Sequence, residues 1–144
     1  MRYLLAVAAL ALAFAPGAAA MTTQITAPYT DLVPNPCNGD LVAVTGTYHA
    51  SMISNKNEGK IQTSWPNTSG VSLTTGTLYQ APQTFHTYVV STGPNAFTFS
   101  VADSYELVSQ DGTSNFLVHE AVTFDLLTGD VTFSRGGDDC SGSS

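Results

Sequence analysis

Apolar and polar positions alternate with a period of two along most of the chain beyond residue 40. Phe97, Phe99, Val101, Tyr105 and Leu107 share one phase of segment 96–109. Phe116, Val118, Val122, Phe124 and Leu126 share one phase of 115–126. The same alternation runs through Ile61, Thr63 and Trp65 in 60–65, and through Val71, Leu73, Thr75, Thr77 and Tyr79 in 71–79. Segments 41–49 (LVAVTGTYH) and 84–91 (TFHTYVVS) are β-branched and aromatic, and 130–135 carries Val131 and Phe133. Successive strand side chains point to opposite faces, so this pattern predicts half-buried strands. No stretch after residue 20 shows the 3.6-residue period of an amphipathic helix. Turn signals fall at Thr92-Gly93-Pro94-Asn95, Asp111-Gly112 and Thr128-Gly129. Residues 51–59 and 66–70 read as loops. Residues 21–40, with Pro28, Pro34, Pro36 and Asn38-Gly39, read as an arm or loop leading into the first strand.

Strands that are apolar on one face must bury it. Short-turned antiparallel neighbours do so by curling into a barrel or by splitting into two packed sheets. The expected fold is therefore all-β, an antiparallel up-and-down barrel of seven or eight strands within a single domain, 41–140. A Greek-key sandwich is the alternative. Residues 141–144 form a polar tail.

The first twenty residues have a different character. Arg2 precedes an unbroken apolar run from Leu4 to Phe14, Pro16-Gly17 breaks it, and Ala18-Ala19-Ala20 fits a small-residue cleavage rule. The run is too short to span a bilayer. It predicts a signal peptide over 1–20 and a secreted chain, extracellular or periplasmic, with no later membrane span. Two cysteines remain, Cys37 and Cys140. In an exported protein an even count favours a disulfide, and their spacing matches no zinc pattern. Asn67-Thr68-Ser69 is a glycosylation sequon.

Charge removes whole classes of function. Removal of Arg2 leaves Lys56, Lys60 and Arg135 against 11 acidic residues. Three cations cannot form the basic stripe that binds a phosphate backbone or anionic lipid. Neither a P-loop nor a dinucleotide fingerprint occurs, and no Gly-x-Ser-x-Gly elbow marks a hydrolase. No cofactor is implied.

The pieces Asn35-Pro36-Cys37-Asn38-Gly39, Thr45-Gly46-Thr47-Tyr48-His49 and Asn115-Phe116-Leu117-Val118-His119-Glu120, with the final Cys140, are similar to those of small exported bacterial β-domain proteins of unknown function. The resemblance implies secretion and a compact β domain, and it carries over no catalytic residue. The barrel of allene oxide cyclase-like proteins is a looser analogy at the level of fold, which does not specify a function.

Asp103 and Glu120 interrupt the apolar phases of their segments, where a charge is costly unless paired. Asp-Gly is a preferred pair for a two-residue type I′ hairpin. With Asp111-Gly112 at the turn, Gln110 faces Thr113, Leu107 faces Phe116, Val101 faces Val122 and Asp103 faces Glu120. The apolar faces then coincide, which a one-residue slip would destroy. Opposed residues have Cβ atoms about 4.5–5.5 Å apart. The next hairpin, centred on Thr128-Gly129, puts Phe124 opposite Phe133 and Arg135 opposite Val122. A shift of two residues puts Arg135 opposite Glu120. Either way the two acids should share a proton or be bridged by the guanidinium. Asp103, Glu120 and Arg135 are the candidate ligand-binding residues. The competing reading is a structural network that fixes register.

His49, His86 and His119 fall on different strands without ligand spacing and read as surface or rim residues rather than a metal site. Three functions compete. The first is a non-enzymatic barrel that binds a small apolar or amphipathic ligand or a protein partner. The second is a cofactor-free isomerase or cyclase using the carboxylate pair. The third is a cell-envelope interaction protein.

Overall fold

The computed structural model describes residues 21–54, 58–91 and 97–141. The expected signal peptide over 1–20, the expected turn at 92–95 and residues 142–144 of the expected tail lie outside the described residues. Among the described residues ten strands, not the expected seven or eight, form an antiparallel all-β structure: β1 (Met21–Pro34), β2 (Leu41–Ser54), β3 (Glu58–Ser64), β4 (Ser69–Ser72), β5 (Leu78–Gln80), β6 (Phe85–Ser91), β7 (Thr98–Ser109), β8 (Asn115–Asp125), β9 (Val131–Arg135) and β10 (Asp139–Ser141).

Segment 21–34, expected as an arm or loop, is a full strand. β1 pairs with β2 along its entire length, from Met21↔Ser54 to Pro34↔Leu41. Its prolines fit an edge strand, where a missing N–H leaves no ladder bond unmade. Residues 51–54, expected as loop, continue β2 in the same ladder. Segment 71–79, expected as one strand, is two. Gly76 takes a φ of +75°. The Ser72 hydroxyl accepts from the N–H groups of Thr74 and Thr75 and donates to Asp40. This turn chemistry overrides the alternation of the segment, and Val71 and Leu73 face outward.

The order is not a simple meander. The backbone path runs β10-β8-β7-β5-β4-β2-β3-β6, with β1 added on β2 and β9 on β8. β2 serves two neighbours on one edge, β4 through Val42–Thr45 and β3 through His49–Ser54. Gly46 lies at the changeover, where Thr68 packs against its backbone and Thr47 donates to the Pro66 carbonyl.

Among the described residues backbone pairing does not close the sheet. Side chains instead bridge two seams, one between β6 and β7 and one between β1 and β9. Tyr88 on β6 donates to the Ala102 carbonyl on β7 at 2.7 Å. Arg135 on β9 donates to the Leu32 carbonyl on β1 at 2.7 Å. The core between them is aromatic: Tyr29, Tyr48, Trp65, Tyr105 and Phe133 stack edge-on or tilted, with ring centroids 4.8–5.9 Å apart. Such geometries suit the ring quadrupoles.

Cys37 and Cys140 form a disulfide across 103 residues, with Cα atoms 5.1 Å apart. It ties the β1–β2 connection to β10, which lies on β8 through Cys140↔Phe116. Closing a loop of roughly a hundred residues restricts the unfolded chain by about 4–5 kcal/mol in the chain-entropy model. Among the described residues no helix is long and apolar enough to cross a membrane.

Candidate functional site

The β7–β8 register carries the site. Leu107 faces Phe116, Val101 faces Val122 and Asp103 faces Glu120, as the hydrophobic phases require. The turn that sets this register is not the expected type I′. Gly112 has a φ of +79°, whereas Asp111 stays on the negative side and accepts from the Thr113 N–H. Ser109 closes the longer loop by bonding the Thr113 carbonyl and the Asn115 amide oxygen. Apolar phase therefore dictated the pairing, and more than one turn geometry can serve it.

In the next hairpin the shifted register holds, with Glu120 opposite Arg135 and Val122 opposite Phe133. Asp125 and Asp130 close a four-residue turn through the Asp125 N–H and the Asp130 carbonyl. The Asp125 carboxylate accepts from the N–H groups of Leu127 and Thr128, which hold its pKa below the ordinary value.

Both acids are buried, Asp103 at 4% and Glu120 at 2% exposure. Neither is bonded to the other, and Arg135 bridges neither. Each finds donors at its own seam. Asp103 accepts from Trp65 Nε1 at 3.2 Å, Tyr88 OH at 3.2 Å and its neighbour's N–H on Ser104 at 2.8 Å. It also bonds His86 Nδ1 across the β6–β7 seam. The imidazole is about one-third exposed and the Asp103 carboxylate is fully covered. Glu120 accepts from Tyr29 OH at 2.6 Å, and Tyr105 OH donates to the Tyr29 oxygen at 3.0 Å.

Arg135 turns from its cross-strand partner toward β1, where it meets the Leu32 carbonyl and Asp31 at 3.5 Å. An unpaired edge carbonyl needs a donor. Reaching it leaves the guanidinium partly solvated, which avoids the desolvation cost of pairing with a buried carboxylate.

The consequence for Glu120 is a raised pKa. Burial is the main cause, and the Tyr29 hydrogen bond opposes it. Asp31 and Asp138 add to the rise while Arg135 counters it. Burial likewise raises Asp138 and pushes the phenols of Tyr29, Tyr48 and Tyr105 far above the ordinary range, and Tyr88 up to about 12. Tyr29, Tyr88 and Tyr105 therefore act as hydrogen-bond donors rather than phenolates, whereas the buried Tyr48 hydroxyl finds no partner among the described residues.

An open cleft of about 470 Å³ lies at the β1–β9 seam. Glu120, Tyr29, Asp31 and Arg135 supply its polar lining, and Val131 and Phe133 its apolar side. Two of the three candidate residues thus line one cleft. The third, Asp103, belongs to the other seam, beyond the wall formed by Tyr29, Trp65 and Tyr105.

Tyr29, Trp65, His86 and Tyr88 complete these networks; none is among the candidates Asp103, Glu120 and Arg135, and the sequence reads His86 as a surface or rim residue. Only the phase of Trp65 pointed inward. The link between His86 and Asp103 requires β6 and β7 to face each other across a gap, which no local pattern encodes. Among the described residues no group of three or more His, Cys, Asp or Glu could hold a metal ion. No family model, curated protein or solved structure matches the chain.

Proposed function

We propose that the protein is an exported, non-enzymatic β domain that binds a small amphipathic ligand in the cleft at the β1–β9 seam. The observation that carries this reading is the composition of the cleft. A buried carboxyl with a raised pKa lies beside an apolar patch of Val131 and Phe133 and a partly exposed guanidinium. Pockets of this kind orient a ligand through a few polar groups and hold it through apolar contact. The aromatic packing beneath the cleft supports binding at the seam rather than inside the sheet. A head group that donates hydrogen bonds suits this site, because Asp31 and Glu120 outnumber Arg135 there.

Export is supported by the leader in the sequence and by the disulfide, a bond that persists in oxidising compartments.

Trp65 is the chain's single tryptophan, 5.9 Å from Phe133 and 5.0 Å from Tyr29. Its emission reports on the cleft. Titration of the mature protein with dodecylamine and with dodecanol should give a saturable change for at least one probe, weakened in Glu120→Gln or Arg135→Ala. No saturable change with either probe, or equal affinity in both variants, rejects the reading.

A further inference from the structure

On β4, β5 and β7 the surface carries two adjoining open grooves of about 480 and 380 Å³. They share Gln80 and Gln110. No charged side chain lines either groove, although acidic residues outnumber basic ones 11 to 4 in the whole chain. One end presents the amides of Asn67, Gln80, Gln83 and Gln110. The other presents Val71 and Leu78, which face each other across β4 and β5 and are 43% and 56% exposed. None of these residues lines the Glu120 cleft.

We propose that this surface is a second binding site, for a neutral saccharide chain. Side-chain amides both donate and accept, as sugar hydroxyls do, so an amide row matches adjacent hydroxyls without desolvating a charge. Gln110 gives Nε2 to the Val108 carbonyl at 3.2 Å, which orients the amide while Oε1 accepts from a ligand. Val71 and Leu78 take the C–H face of a sugar ring.

The backbone argues against an extended peptide. A peptide laid on a sheet takes its affinity from an open strand edge. Both edges of β5 are occupied, by β4 and β7. Beyond them the Leu78 carbonyl is taken by the Gln110 N–H, and the Thr68 carbonyl by the Ala81 N–H. Side chains carry the available hydrogen bonding. Val71 faces outward because Gly70 and Ser72 face inward on β4, and the turn at Gly76 returns the chain so that Leu78 lies opposite Val71.

The test is heteronuclear NMR titration of the mature, disulfide-bonded protein with maltohexaose, cellohexaose and chitohexaose at millimolar concentration. The expected result is saturable shifts at 67–83 and 108–110 with at least one probe, with an affinity that barely changes between low and high salt, since no ion pair forms. Gln80→Ala and Gln110→Ala should each weaken binding about threefold to tenfold, the range for loss of one or two neutral hydrogen bonds. Both glutamines are exposed, so unchanged Trp65 emission verifies the fold of each variant. The proposal is overturned by absence of shifts with all three saccharides, by binding that survives both substitutions in full, or by shifts obtained only with an uncharged capped tetrapeptide. Dodecylamine and dodecanol binding at the Glu120 cleft is read at other residues, so failure of one site does not imply failure of the other.

Discussion

Asp103 and Glu120 are cross-strand partners on β7 and β8, yet their carboxylates serve opposite seams of the sheet. Asp103 gathers Trp65, His86 and Tyr88 at the β6–β7 seam, and Glu120 takes Tyr29 near the β1–β9 seam. Two acids that could have competed for one proton are separated by two sets of aromatic donors. Each helps hold together a place where the backbone ladder stops.

The raised pKa of Glu120 gives stability a definite pH dependence. The unfolded chain ionises this group near the ordinary value of 4.5, while the folded protein keeps it protonated to higher pH. Over that interval the native state binds more protons, so the contribution of Glu120 to stability falls as pH rises. Below the ordinary value both states are protonated and the penalty vanishes. Glu120→Gln still accepts from Tyr29 and cannot ionise. Its melting temperature relative to the parent should therefore rise with pH from about 4 to 8. A constant difference across that range would contradict the assignment.

The Asp103 network predicts an asymmetric response. Asp103→Ala strips the acceptor from the buried Trp65 indole N–H and the partner from His86, whereas Tyr88 keeps the Ala102 carbonyl. A buried donor left unpaired costs about 1–3 kcal/mol, and urea unfolding should show a loss at or above the top of that range. His86→Ala removes only a partly exposed donor and should cost less. It should still speed amide exchange in β6, whose ladder lies on β3 alone.

Reduction of Cys37–Cys140, or Cys37→Ser with Cys140→Ser, should lower the unfolding free energy by up to about 4–5 kcal/mol in the chain-entropy account. The three-residue β10 should lose protection first, because Asp139↔Leu117 to Ser141↔Asn115 is its whole ladder. A variant as stable as the parent in urea would show that the clasp restrains nothing.

Gly46 leaves no room for a side chain. A Cβ there would stand 2.2 Å from Thr68 Oγ1 and 2.8 Å from its Cβ. Gly46→Ala should destabilise by about 1–3 kcal/mol, the usual range for overpacking. Thr68→Ala in the same chain should recover part of the loss by removing the nearest atom. Full stability of the single variant would argue against the close approach of β2 to this turn.

Much of this arrangement was legible before folding because it depends on period and compartment. Alternation of Phe99, Val101, Tyr105 and Leu107 against Phe116, Val118, Val122 and Phe124 fixes strand type, inward face and register together, since a one-residue slip would expose every apolar side chain. The same argument places Asp103 and Glu120 inside. With two cysteines only one intramolecular pairing exists, and Cys37 with Cys140 forms it. Local composition misled where turn chemistry or a long-range partner governs. The prolines of 21–34 suggest irregular chain, but β1 needs only one ladder, and β2 supplies it. Ser72 and Gly76 break an alternating run that looks continuous.

The sequence by itself thus determined the all-β class, the buried faces and register of β7 and β8, the carboxylate pair and the covalent tie, because each follows from side-chain period or from the count of a reactive residue. Only the tertiary structure decided which donors each acid meets, where Arg135 points, and that β6 faces β7 and β1 faces β9 across gaps without backbone bonds. Those relations join residues far apart in the chain, among them Tyr29 with Glu120 and Leu32 with Arg135. They are set by which unpaired groups the folded sheet leaves to be satisfied, a quantity that no local pattern contains.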